Sequence, residues 1–214
     1  MLTEKQKRVV SGIAMIGLAA LIALLGKHAV AAGVWLVSAS AFWELGAMFR
    51  WGERRLGWLA IFMPLSLLYV VLPGFASLAL YLMNPWFLVW VMVVTAATDT
   101  FAFVFGPPIG GAKLMPSVSP KKTWAGAVIG TAFGTLLGAW FAAEFLPEIY
   151  GGMAISFALT VVSQVGDLFE SKLKRVAQVK DSSGLIPGHG GVLDRFDSLF
   201  FALPMLWVIL KFCD

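Results

Sequence analysis

Polar residues in this chain gather between long apolar runs instead of alternating with them. Neither the two-residue period of a half-buried strand nor the narrow stripe of a soluble amphipathic helix dominates. A helix needs about 20 apolar residues to cross the hydrocarbon core of a bilayer, and on that criterion helices are predicted at about 9–25, 29–49, 57–72, 85–105, 124–143, 152–170 and 194–212. The apolar stretch 73–84 is bracketed by Pro73-Gly74 and Asn84-Pro85 and is too short to span by itself. It reads as an outer loop, with a short or re-entrant eighth segment as the alternative. The expected fold class is all-α, a polytopic transmembrane helical bundle of about seven spans. Residues 1–214 form a single membrane domain in this reading, 1–84 supplying N-terminal helices and 85–214 the helices and loops that carry chemistry.

Charge tests that count, because cytoplasmic loops are enriched in Lys and Arg and every added span inverts all later loops. With the N-terminus inside, the inner segments hold Lys5, Lys7, Arg8, Arg50, Arg54, Arg55, Lys113, Lys121, Lys122, Lys172, Lys174, Arg175, Lys180 and Arg195. Of the 16 basic residues only Lys27 and Lys211 then lie outside. Composition agrees: 59% of residues are hydrophobic, 13% are charged, and the mean hydropathy is +0.85, which excludes an ordinary soluble domain. The net charge of +4 implies a basic cytosolic face suited to anionic headgroups or nucleotide phosphates. A single cysteine, Cys213, excludes an intrachain disulfide framework and a cysteine-based zinc site. Lys5, Lys7 and Arg8 before an apolar run, with Ala29-Val30-Ala31 after it, imitate a secretory leader. The run is too long for a leader's core and more spans follow, so it is expected to remain as the first helix.

Gly126, Gly130, Gly134 and Gly138 recur at every fourth position of the fifth predicted span, leaving one helical face bare for close backbone approach. Packing is the expected use, with a lipid or substrate groove as the alternative.

Two of the loops assigned to the cytosol are long, rich in Gly and Pro, and dense in charge. The first, 106–123, ends in Ser119-Pro120-Lys121-Lys122-Thr123 directly before a helix. Its ammonium groups, hydroxyls and free helix-start N–H groups form a candidate anion site, although a positive-inside anchor with a hydroxyl cap has the same composition. The second begins where Asp167, Glu170 and Lys174 share one helical face. Glu170 and Lys174 read equally well as an ordinary helix ion pair, whereas Asp167 lies inside an apolar run and asks for a cation.

Beyond them come Lys180-Asp181, then Pro187-Gly188-His189-Gly190-Gly191, then Asp194-Arg195-Phe196-Asp197. The glycines leave backbone amides open to a phosphate, His189 is a candidate phosphate contact, and Asp194 and Asp197 stand one turn apart. Taken alone, Asp194 is also a helix N-cap. Asp99 adds a carboxylate about 10 Å inside the fourth span; such a residue is a functional candidate, unless Thr95, Thr98 and Thr100 satisfy it structurally. Acidic groups able to hold a hard divalent cation, surrounded by Lys, Arg and Gly on one side of a membrane, are the equipment of nucleotide phosphate chemistry. A Walker-type Gly-Lys-Ser/Thr loop and a strand to carry it are missing, which argues against a P-loop enzyme.

The second loop resembles the phosphatidate cytidylyltransferase family, whose signature is met by Ser171, Leu173, Lys174, Arg175, Lys180, Asp181, Ser183, Ile186, Pro187, His189, Gly190, Gly191, Val192, Asp194, Arg195, Phe196 and Asp197. That family's Ser-Pro-x-Lys-Thr-Trp element is present as Ser119–Trp124, and its intramembrane Asp before a Phe-Gly pair as Asp99 with Phe105-Gly106. The likeness covers about residues 95–212. The chain departs from it at Pro107-Pro108, where relatives commonly carry basic residues, and at Ala125, where they often carry Glu or Gln.

The resemblance implies transfer of CMP from CTP to phosphatidate, giving CDP-diacylglycerol and pyrophosphate, with Mg2+ held by Asp167 and Asp194. Asp99 and Asp197 are further ligand candidates, and a second metal ion is allowed for. Asp167, Asp194, Lys122 and Arg195 are the expected catalytic residues. Ser119, Lys121, Thr123, Ser171, Arg175, Lys180, His189, Gly190 and Gly191 are the expected substrate and phosphate contacts. The implied partners are CTP, phosphatidate, membrane lipids and a second copy of the chain in a homodimer; no nucleic-acid partner is expected. The implied place is a bacterial cytoplasmic membrane with the site facing the cytosol. Alternatives are a CTP-dependent enzyme on another lipid (an archaeal ether-lipid phosphate cytidylyltransferase or a polyprenol-type lipid kinase) and, from another class, an ion-coupled transporter using Asp99 and Asp167.

Overall fold

The computed structural model describes residues 24–51, 56–149 and 151–212, with positions 10, 14, 17, 18, 21 and 22. Most of the first predicted span, 9–25, and the N-terminus lie outside the described residues. Six helices follow: α1 (Lys27–Trp51), α2 (Leu56–Met83), α3 (Trp86–Ile109), α4 (Trp124–Phe145), α5 (Gly152–Val176) and α6 (Leu193–Phe212). Four described stretches are long and apolar enough to cross a membrane: Lys27–Met48, Trp86–Ile109, Trp124–Phe145 and Gly152–Val176. The chain is thus a helical integral membrane protein, in line with the rule that backbone in hydrocarbon must satisfy its own hydrogen bonds.

Two expectations are corrected. The stretch 73–84 is not an outer loop: α2 runs unbroken through Pro64 and Pro73 to Met83. Proline deletes a helix donor, but neighbouring groups restore polarity, here the Ser77 hydroxyl donating to the Pro73 carbonyl at 2.7 Å. Gly74 is needed because a Cβ there would stand 2.6 Å from Ser38 Oγ of α1. The other correction concerns the predicted loop 106–123 of this helical bundle. The loop after α3 contains a hairpin, β1 (Lys113–Met115) and β2 (Ser119–Thr123), antiparallel, with Lys113 opposite Thr123, Met115 opposite Ser119, and an irregularity between. The helix before it also outlasts the Phe-Gly pair, ending at Gly110, whose N–H reaches the Gly106 carbonyl at 2.9 Å with a φ of 71°.

The chain divides into two compact units: Met1–Leu78 with Leu173–Phe196, and Ala79–Lys172 with Asp197–Asp214. The second is built on the glycine face of α4. A Cβ at Gly126 would sit 3.1 Å from the Gly106 Cα, one at Gly130 2.6 Å from the Thr98 carbonyl, and one at Gly138 2.6 Å from Ser156 Oγ. The face therefore packs against α3 and α5 of the same chain, the close approach that small residues permit in membranes. Inter-helix hydrogen bonds fasten it: Trp90 Nε1 to Ser156 Oγ at 3.1 Å and Gln164 Nε2 to Thr131 Oγ1 at 2.7 Å. In the first unit, the C-terminal part of α1 is held to the loop before α6 through Glu44.

Candidate active site

Hairpin β1–β2 delivers Lys121 and Lys122 to the start of α4. Thr123 caps that helix, accepting from the Gly126 N–H at 3.1 Å, and its hydroxyl lies 3.3 Å from the Gly106 carbonyl. One helix-start N–H expected for an anion is therefore spent on the cap. On β2 Lys121 is exposed and Lys122 half-buried, and the Lys122 ammonium forms an ion pair with Asp167 on α5. Ser171, one turn on, lies with Oγ 3.5 Å from Asp167 Oδ1.

Two more carboxylates complete this centre. Asp99 on α3 accepts from Ser198 Oγ at 3.3 Å, and Asp197 accepts from the Ser198 N–H at 2.6 Å. Asp167 acts electrostatically on both, and Lys122 opposes it. Thr95 and Thr98 do not satisfy Asp99; their hydroxyls donate to the Val91 and Val94 carbonyls of their own helix at 2.9 and 2.7 Å. Asp99, Lys121, Lys122, Gln164 and Asp167 line a cavity of about 260 Å³ together with Ala102, Phe103, Pro107 and Leu114. Charged and apolar side chains thus share its lining.

The second polar centre lies in the other unit. There the loop between α5 and α6 folds round a cavity of about 550 Å³ lined by Lys180, Asp181, Ser183, Gly188, His189, Gly190 and Arg195. Positive φ at Gly188 (77°) and Gly190 (84°) makes the turn, which the Ile186 N–H closes on the Gly190 carbonyl at 2.8 Å. Arg195 Nε donates to the His189 carbonyl at 3.0 Å and so fixes its guanidinium at the rim. Asp194 is the hub below: Lys174 Nζ meets Oδ1 at 2.8 Å, while Oδ2 accepts from Ser182 N (2.9 Å), Gly191 N (2.8 Å) and Ser182 Oγ (3.1 Å).

This adds a partner to one reading and revises another. Lys174 pairs with Asp194, and the Gly191 amide is turned to Asp194 instead of standing open to a phosphate. Of the remaining expected contacts, Ser119 lies half-buried in β2 and Arg175 is exposed near the end of α5.

Glu44 was not anticipated. Fully buried on α1, it accepts from Ser182 Oγ (2.9 Å), Ser183 Oγ (2.5 Å), Val192 N (2.8 Å) and Leu193 N (2.7 Å). A Glu within an apolar run is the same signal that singles out Asp99, and could have been read. Ser182 and Ser198 gave no comparable sign.

Among the described residues no three His, Cys, Asp or Glu side chains converge closely enough to hold an ion by themselves. Mg2+ commonly takes only one or two carboxylates, with water and substrate phosphate completing its shell, so the Asp167 centre fits such an ion.

Fold and site define a helical integral membrane protein with two charged centres. The chain belongs to the cytidylyltransferase family, whose profile matches residues 59–213. Among curated relatives, the phosphatidate cytidylyltransferase of Rickettsia bellii is 37% identical over 154 residues, 65% of this chain and 66% of that protein. That of Rickettsia typhi is 39% identical over 163 residues, 72% of this chain and 68% of that protein. The one from Brucella abortus is 41% identical over 143 residues, 63% and 53% respectively. The chain thus matches about half to two thirds of the length of these relatives.

Proposed function

We propose that the chain is a CTP:phosphatidate cytidylyltransferase, forming CDP-diacylglycerol and pyrophosphate. The observation that carries the reading is that the signature residues of 180–195 surround one cavity with basic groups and glycine backbone, as a polyphosphate requires. Lys180, His189 and Arg195 face the phosphates of CTP. In the other unit, Lys121 and Lys122 line a cavity with apolar residues such as Ala102, Phe103 and Leu114, a mixture that suits a phosphatidate.

A phosphate oxygen of phosphatidate attacks the α-phosphorus of CTP. That P–O bond forms as the bond from the α-phosphorus to its bridging oxygen breaks, and pyrophosphate leaves with the electron pair. The nucleophile is already an oxyanion, so the chain need only position and neutralise. Mg2+, when bound, would neutralise charge on the phosphates, with Asp167 as its proposed ligand and Asp99 and Asp197 beside it. In the first unit, Asp194 is the proposed ligand position.

About seven spans, an N-terminus inside, and a site facing the cytosol of a bacterial inner membrane complete the reading, on the strength of the basic-residue pattern. A homodimer rests on the family resemblance alone; the glycine face of α4 packs within the chain.

The test is incubation of purified protein with phosphatidate, Mg2+ and CTP labelled on its α- or γ-phosphorus. Label entering lipid from the α position alone is expected. Label from γ alone, on an alcohol acceptor, would make the chain a lipid kinase. Ion movement across sealed vesicles without lipid product would make it a transporter.

A further inference from the structure

We propose that Glu44 is a positioning residue that sets the geometry of the 180–195 cavity from a helix outside the family match. It rests on the nucleotide reading of that cavity. The matched region begins at residue 59, so α1 and its Glu44 lie before it. Yet the Glu44 carboxylate reaches both ends of the loop. Oε1 accepts from Ser183 Oγ and the Val192 N–H, and Oε2 from Ser182 Oγ and the Leu193 N–H. Each oxygen thus clamps one hydroxyl from the loop's entry and one backbone amide at its exit, where α6 starts.

The donors include N–H groups at the head of α6, which no intrahelical carbonyl can serve, so a carboxylate there caps the helix and favours its dipole. Two oxygens with about four lone-pair sites are filled by four donors, an arrangement that an ionised carboxylate satisfies and an amide cannot. Space confirms the fit. A Cβ at Gly191 would collide first with Ser182 Oγ and would also lie 2.5 and 2.6 Å from the two Glu44 oxygens. The second glycine of His189-Gly190-Gly191 therefore serves the meeting of Ser182 with Glu44, which its signature position alone does not reveal.

The consequence is mechanical. Ser182 Oγ also bonds Asp194, and Asp194 holds Lys174, so Glu44 and Asp194 share one hydroxyl and jointly fix the floor under Lys180, His189 and Arg195. Glu44 lines neither cavity and touches no proposed reacting atom. Its effect must pass through the loop.

Glu44→Gln is the discriminating variant, because its NH2 group meets a backbone N–H that it cannot accept from. Purified full-length protein should show KM for CTP raised about 10-fold, with KM for phosphatidate within about twofold of wild type. Ser183→Ala, which spares both backbone bonds, should raise KM for CTP by about threefold or less. Amide exchange at Val192 and Leu193, followed by mass spectrometry, should quicken in Glu44→Gln and stay near wild type in Ser183→Ala.

Unchanged KM for CTP in a Glu44→Gln protein of normal yield overturns the positioning role, as does an equal rise in both KM values, the sign of general destabilisation. If wild type moves no CMP at all, the cytidylyl-transfer reading fails. The exchange measurement then still judges the clamp, and unaltered protection in Glu44→Gln refutes it.

Discussion

Lys122 meets Asp167 in the lining of the smaller cavity, and both side chains are less than one-third exposed (29% and 24%). Lys122 opposes Asp99, Asp167 and Asp197 together, so removing it leaves like charges facing one another. Lys122→Met should therefore reduce cytidylyl transfer about 100-fold, measured as labelled lipid formed from α-labelled CTP. Asp167→Asn should do the same and should also raise the Mg2+ concentration for half-maximal activity about 10-fold. A variant with full activity and unchanged Mg2+ response would remove Asp167 from the metal assignment. Asp194→Asn, which turns an acceptor-only hub into a partial donor facing Lys174 or backbone N–H groups, is expected to lose at least about 10-fold. Most of these residues were legible beforehand because charge inside or beside an apolar run is costly and so marks itself. Their partners were not. Nothing in residues 119–124 says that Lys122 will turn inward to α5 while Lys121 stays at the surface.

At the scale of elements, α4 depends on a bare face. Gly130→Leu would place a side chain where the Thr98 carbonyl and the Ala102 Cβ already stand at 2.6 and 3.0 Å from a Cβ. Such overpacking costs about 1–3 kcal/mol, so the thermal midpoint of detergent-solubilised protein should fall by several degrees. Thr123→Ala removes the α4 cap and should cost about 1 kcal/mol by the same measurement.

Single cysteines introduced at positions 76 and 80 of α2, both buried, should resist a membrane-impermeant thiol reagent. Rapid labelling would restore the loop that Pro73-Gly74 suggested. That dipeptide misled because local turn preference is weak against an apolar environment, where any break in the helix would strand backbone groups without water. The hairpin was hidden for the converse reason. Three- and five-residue strands carry too little periodicity to register, and theirs is held by pairing and by attachment to the head of α4.

For the molecule as a whole, sidedness is the property most open to test. Cysteines replacing Lys113 or Lys180 should label only from the cytosolic face, and one replacing Lys27 only from the opposite face, in oriented vesicles. One pairing agrees with the proposed topology: Glu44, in the C-terminal part of α1, bonds residues 182–193, and that topology has the end of α1 and this loop both on the inside.

The sequence by itself determined that this chain lives in a membrane, where most of its helices run, which loops carry charge, and which family it belongs to. Those properties follow from the transfer cost of residues taken singly or in short runs, and from a signature contiguous in the chain. The tertiary structure alone decided which donors meet which acceptors: Lys122 with Asp167, 45 positions apart, and Glu44 with Ser182, 138 apart. Pairing at such separations is set by how helices pack and where a loop is clamped, and single-residue preferences hold no record of either.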